Sequence, residues 1–86
     1  MFELRLYIRT ENCPNCEMLK KSASEKGIKI ETGGILKVYD VDTVGGLAES
    51  AFDDVRAVPA LVVDEDGETS LITEASEILN TMEREL

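Results

Sequence analysis

Cys13-Pro14-Asn15-Cys16 sits at the junction of two segments of opposite periodicity, and that junction constrains the fold more than any other feature. Before it, Leu4-Arg5-Leu6-Tyr7-Ile8-Arg9 alternates apolar and polar residues, the period of a half-buried strand. After it, Glu17-Met18-Leu19-Lys20-Lys21-Ser22-Ala23 is rich in helix formers and is closed by Gly27, a residue suited to the left-handed position past a helix end. The spacing predicts a strand over 3–9, a short loop at Thr10-Glu11-Asn12 and a helix running to about Lys26. Cys13 takes the N-cap and Pro14 the first helical position, where a missing N–H removes no helical bond. The first sulfur then lies at a helix N-terminus, where unpaired backbone N–H groups favour a thiolate over a thiol. Cys16 lies one turn along, within reach of the same sulfur. The pattern points to a redox-active dithiol, with Cys13 as nucleophile and Cys16 as the thiol that resolves a mixed disulfide.

The remaining chain alternates strand and helix signals. Ile28–Gly34 gives no clear period and reads as a loop or a short extended piece broken by Gly33-Gly34. Ile35–Val41 reads as a largely buried strand, followed by Asp42-Thr43 with helix-cap chemistry. Val44, Leu47, Ala48, Ala51, Phe52 and Val55 recur at helical spacing and form one apolar stripe. Gly45 and Gly46 weaken that helix, so close packing of helix on sheet is the expected reason for them. After Arg56-Ala57-Val58-Pro59, the run Ala60–Val63 reads as a buried strand. Asp64-Glu65-Asp66-Gly67 is a hairpin turn signal, Glu68–Ile72 the returning strand, and Thr73 the expected cap of a last helix whose Ala75, Ile78, Leu79 and Met82 share one face. The order βαβαββα calls for a mixed sheet covered by helices.

Length and charge narrow the function. The 86 residues make a single domain over the whole chain. A CxxC loop is too short to stabilise much as a staple, so its spacing suits chemistry or metal binding instead. With 18 acidic and 9 basic residues the net charge is −9, which argues against nucleic acid as a partner. No apolar run is long enough for a membrane span. Met1-Phe2-Glu3-Leu4-Arg5 has no signal-peptide character, so a cytoplasmic setting is expected, where an isolated CxxC is kept reduced or cycles.

Three signals coincide: CPxC after the first strand, Val58-Pro59 before the third, and a hairpin leading into a final helix. Together they resemble the thioredoxin-fold superfamily, and more narrowly a small glutaredoxin-like or thioredoxin-like redoxin. The resemblance spans nearly the whole chain. It implies the thioredoxin fold, an α/β arrangement in which a four-stranded mixed sheet is covered by three helices. It also implies that Cys13 and Cys16 are catalytic and that Pro14, Asn15, Val58 and Pro59 contact the substrate. Val58 would offer its backbone N–H and C=O to an incoming strand, and the Val58–Pro59 bond would be cis and face the sulfurs. The implied activity is reduction of protein disulfides, with no cofactor and a monomeric protein.

The chain departs from both branches of that superfamily. Thioredoxins carry a buried Asp beneath the CxxC, where this chain has Tyr7, and a Trp before the first Cys, whereas this chain has no Trp. Glutaredoxins often carry a Lys three residues before the first Cys, where Thr10 stands, and a Gly-Gly-Asp-like start to the last helix, which Leu71-Ile72-Thr73-Glu74 does not match. Glu74 would repel the carboxylate that such a site receives. A flavoprotein reductase of the thioredoxin-reductase type is therefore the expected electron donor in preference to glutathione.

With no His in the chain, Cys13 must be activated by the helix N-terminus, with Arg9, Lys20 and Arg56 as candidate charge partners and Glu11 and Glu17 opposing. The resulting acidity, moderately below the free thiol value of about 8.5, corresponds to potentials of roughly −270 to −200 mV and a reducing role. Two alternatives stay open. A Cys₄ metal site or a bridged cluster could form across a dimer, since two thiolates are half of such a set and nothing else in the chain completes it. A ferredoxin-like metallochaperone also places CxxC between strand and helix, but its βαββαβ order disagrees with the hairpin-helix ending read here. Tyr7 and Tyr39 read as core or rim aromatics, and Met18 and Leu19 as packing beneath the sulfurs.

Overall fold

The computed structural model describes all 86 residues. Seven elements follow one another: β1 (Phe2–Ile8), α1 (Pro14–Glu25), β2 (Leu36–Asp40), α2 (Val44–Phe52), β3 (Ala60–Glu65), β4 (Glu68–Ile72) and α3 (Ala75–Glu85). The strands form one sheet in the order β2-β1-β3-β4, with β2 parallel to β1 and both β3 and β4 antiparallel to their neighbours. This is the βαβαββα arrangement expected from the sequence, and it is the thioredoxin fold.

Alternation along β1 divides the molecule into two unlike halves. Leu4, Leu6 and Ile8 point to one face, where they meet Leu19 and Ala23 of α1 and Ile78, Leu79 and Met82 of α3 in a single apolar core. Arg5 and Tyr7 point to the other face, beneath α2, and both are buried. Tyr7 pairs with Tyr39 across the β1–β2 ladder, and the two rings stack with centroids 5.3 Å apart. One face is thus held by hydrophobic burial and the other by a mixture of aromatic and charged groups.

Local chemistry sets the element ends. Gly27 follows α1 with φ +74°, the left-handed C′ role its position suggested. Thr43 caps α2, its hydroxyl oxygen accepting from the Gly46 N–H at 3.0 Å. Asp66 and Gly67 both have positive φ, 53° and 91°, the geometry that lets a two-residue turn match the strand twist. That turn lies at Asp66-Gly67 alone, so β3 reaches Glu65 instead of stopping at Val63. Ile28–Gly34 is a loop whose one ladder contact is a bridge from Gly33 to Leu36.

Three expectations need correction. The helix expected to carry the stripe from Val44 to Val55 ends at Phe52, before Val55, and the stripe is largely in solvent: Val44 is 89%, Leu47 62% and Phe52 87% exposed, while the buried residues are Gly46 and Ser50. Period alone reports that a helix has an apolar face and is silent on whether anything covers it. Thr73 does not cap α3; the N-cap is Glu74, whose side chain makes no capping bond. Met18 does not pack beneath the sulfurs, because the turn of α1 carries it to solvent while Leu19 goes inside.

Candidate functional site

The loop from β1 to α1 turns sharply at Asn12, in the left-handed region at φ 56°, a conformation that Asn tolerates better than most residues. It delivers Cys13 to the N-cap of α1 with Pro14 at the first helical position. Cys13 and Cys16 are joined as a disulfide, with Cα atoms 5.2 Å apart. The two sulfurs are not equivalent. Cys16 is wholly buried and its Sγ lies 3.5 Å from the backbone N–H of Arg9. Cys13 keeps 8% exposure, lines a surface groove, and accepts the Cys16 backbone N–H at 3.2 Å. A helix N-terminus thus aims a donor at the more accessible sulfur, which stabilises negative charge there once the disulfide opens.

The groove has a volume of about 410 Å³. Cys13, Pro14 and Asn15 form one wall, and Val55, Ala57 and Val58 form the facing one. Leu47 and Ser50 of α2 also contribute. The Val58–Pro59 bond is cis, and Pro59 itself is buried and does not line the groove. Of the site residues expected from sequence, the structure therefore brings Cys13, Pro14, Asn15 and Val58 to one groove, buries Cys16, and keeps Pro59 out of the groove lining, so the expected substrate contact by Pro59 is corrected. Arg9 and Arg56 line the groove as well, whereas Lys20 does not. Both arginines are engaged at the surface, Arg9 with Asp42 at 3.1 Å and Arg56 with Asp54 at 3.2 Å. No three Cys, Asp and Glu side chains converge to hold a metal ion, and no helix is long and apolar enough to cross a membrane.

Sequence reading missed a second feature, a charged network under α2. Asp53, the C-cap of α2, accepts two hydrogen bonds from Arg5, from Nε at 2.8 Å and from Nη2 at 3.1 Å. Its carboxylate also accepts the Tyr7 hydroxyl, which lies within reach of the Glu49 carbonyl at 3.2 Å. The remaining Arg5 nitrogen, Nη1, donates to Glu3 at 3.0 Å and Asp64 at 2.9 Å. Burial pushes the Asp53 carboxyl up, but the hydrogen bonds from Arg5 and Tyr7 outweigh it and hold it below the usual carboxylate range. Hydrogen bonding to Asp53 raises Arg5 despite its burial, and burial followed by the Asp53 bond raises the Tyr7 phenol. No local sequence signal marks this network, since Arg5 stands at a polar position of the β1 alternation and only the packing of α2 over that face buries it.

A scan against protein-family models and a sequence search of curated proteins each returned no match. Solved structures do match. Thioredoxin O2 from Arabidopsis thaliana, in its oxidized state, is 17% identical over 99% of this chain and 75% of its own, with TM-score 0.67. Mitochondrial thioredoxin 3 from Saccharomyces cerevisiae, oxidized form, is 17% identical over 96% of this chain and 77% of its own, with TM-score 0.65. A thioredoxin from Halobacterium salinarum is 23% identical over 96% of this chain and 73% of its own, with TM-score 0.64. These likenesses establish the thioredoxin fold for the chain.

Proposed function

We propose that the protein is a thiol–disulfide oxidoreductase that reduces disulfides of other proteins, with Cys13 as nucleophile and Cys16 as resolving thiol. One observation carries this reading: the more accessible sulfur of a CxxC pair lies at a helix N-terminus and opens onto a groove whose far wall ends in a cis-proline loop. The likeness to oxidized thioredoxins supports the same reading.

In the reduced protein the Cys13 thiolate attacks one sulfur of the substrate disulfide. That S–S bond breaks, the other substrate sulfur leaves as a thiolate, and a mixed disulfide joins Cys13 to the substrate. Cys16 then gives up its proton and attacks the Cys13 sulfur, releasing the second substrate thiolate. Two electrons have passed to the substrate, and the protein holds the Cys13–Cys16 disulfide. An external thiol reductant must supply two electrons to restore the thiols. A flavoprotein reductase suits this role better than glutathione, because the N-cap of α3 carries Glu74 and its first turn Glu77, which disfavour a carboxylate ligand there. The protein is read as a cytoplasmic monomer that contacts substrate through Pro14, Asn15 and Val58.

Reduction of insulin disulfides by wild-type and variant protein tests this. Cys13→Ser is expected to abolish turnover, and Cys16→Ser to accumulate a covalent complex that dithiothreitol releases. Full activity in Cys13→Ser would overturn the assignment. Supplying electrons from NADPH and a thioredoxin reductase, or from glutathione, separates the two donors.

A further inference from the structure

Half of the groove beside Cys13 is built by α2 and the loop that leaves it, yet α2 is scarcely held by hydrophobic burial. Its large apolar side chains Val44 and Phe52 are 89% and 87% exposed, and it buries only Gly46 and Ser50. What ties it to the sheet is polar. Asp53, with a side chain only 4% exposed, receives the bidentate Arg5 pair and the Tyr7 hydroxyl, while Tyr7 also reaches the Glu49 carbonyl. Charge-assisted, bidentate pairs of this kind are strong and strict in geometry. Removing the Asp53 carboxylate charge leaves Arg5 Nε and Nη2 without their charged acceptor, with only Nη1 still held by Glu3 and Asp64.

Asp53 also marks the start of the segment that faces the sulfurs. Asp54 follows with φ 56°, and the Val55 N–H returns to the Ser50 carbonyl at 2.8 Å, so the direction of the loop is set within two residues of the anchored carboxylate. Val55, Arg56, Ala57 and Val58 then line the groove. A rotation of α2 about its weak apolar contacts would move all four together.

We propose that Asp53, held by Arg5 and Tyr7, is a positioning residue that fixes the Val55–Val58 wall opposite Cys13 and so sets how well a disulfide-bearing protein is seated there. The proposal rests on the reading of the groove as the substrate site. It assigns the network no part in activating the sulfur, since neither Arg5, Tyr7 nor Asp53 lines the groove. A docking defect without a reactivity defect is its signature.

The test compares wild type, Asp53→Asn and Tyr7→Phe, each prereduced, in three measurements. These are the second-order rate with insulin disulfides, the second-order rate of Cys13 alkylation by iodoacetamide, and amide hydrogen exchange resolved by residue. Asp53→Asn is expected to slow the insulin reaction roughly ten- to a hundredfold, the scale of a misplaced contact surface, and Tyr7→Phe to slow it less. Alkylation should stay within about twofold, because it reads thiolate character and local access to one sulfur. The Val55 amide should lose protection while amides of β1 keep theirs. An unchanged insulin rate, a fall matched by the alkylation rate, or a uniform loss of protection would each overturn the proposal. If Asp53→Asn does not fold, Tyr7→Phe, which keeps the buried ring, decides on the same three readouts. If wild-type protein fails to reduce insulin, the proposed function fails, and the exchange pattern still decides whether Asp53 fixes the loop.

Discussion

A Cβ atom on Gly46 would lie 1.8 Å from the carbonyl oxygen of Asp40 and 2.9 Å from the Thr43 hydroxyl oxygen. The same two oxygens serve the cap of α2: the Thr43 hydroxyl donates to Asp40 at 2.7 Å and accepts from the Gly46 N–H at 3.0 Å. Gly46 is therefore the point at which α2 touches the end of β2, and neighbouring backbone cannot yield as a side chain could. Gly46→Ala is expected to destabilise the protein by about 1–3 kcal/mol, the overpacking term exceeding the gain in helix propensity. Gly45 has nothing within 4 Å of its added Cβ, so Gly45→Ala should stabilise by up to about 1 kcal/mol. Urea unfolding of the two variants checks this, and equal effects would refute the packing assignment.

The Arg5–Asp53–Tyr7 network predicts how stability changes with pH at both ends. The folded Asp53 pKa is depressed. Its contribution is thus present above the unfolded carboxylate value of about 3.9 and is lost as pH falls through the lower folded value. Asp53→Asn should lower stability at neutral pH and flatten the loss below about pH 4. The folded Tyr7 pKa is raised by burial and by Asp53. Its contribution is present below the unfolded value of about 10 and disappears as pH rises through the higher folded one. Tyr39 is raised as well, chiefly by burial. Absorbance at about 295 nm should therefore show Tyr7 of the folded protein ionising above the ordinary value of about 10, and a Tyr39→Phe variant whose remaining folded tyrosine ionises at that ordinary value would contradict the network.

Leu19 and Met18 are adjacent in α1 and face opposite ways, Leu19 at 1% and Met18 at 67% exposure. Leu19 shares the core cluster with Cys16 and Ile8, so it supports the turn that carries the sulfurs. Leu19→Ala is expected to destabilise by about 2–5 kcal/mol. Met18→Ala should stay within about 0.5 kcal/mol. Thermal unfolding of both variants checks this directly, since similar shifts would mean that α1 is rotated from the orientation described.

Most of the fold was legible because its signals are local. Strand alternation in Leu4–Ile8, Pro14 and Gly27 at the ends of α1, Thr43 before α2 and Asp66-Gly67 in the hairpin each act over a few residues, and each stands where the sequence puts it. The Cys13 side of the groove was legible for the same reason. The facing wall was reached through resemblance, since no local rule fixes the isomer of Val58–Pro59. The Arg5–Asp53 pair was out of reach because 48 residues separate its partners and nothing in either neighbourhood names the other. The exposure of the α2 stripe was not legible for a complementary reason: its spacing is helical, but the surface that would bury it is taken up by Gly46, Ser50 and the polar network.

The N-terminus of α3 offers a gain in stability that also tests where the helix begins. Glu74 occupies the N-cap with φ −82° and ψ 128°, the extended geometry a capping residue adopts, yet its side chain makes no capping bond. Its carboxylate instead accepts the Ser76 hydroxyl at 2.6 Å on an exposed surface. Asp is one methylene shorter, keeps the negative charge that suits a helix N-terminus, and can reach the orphan N–H groups of the first turn. Glu74→Asp is expected to stabilise by about 1 kcal/mol, which for a domain of this size raises the melting temperature by about 4–8 °C. Thr73→Ala serves as the control. Thr73 precedes the cap and is exposed, so its hydroxyl contributes nothing to α3 and the change should stay within about 0.5 kcal/mol. The opposite pattern, loss on Thr73→Ala with no gain from Glu74→Asp, would move the start of the helix back by one residue.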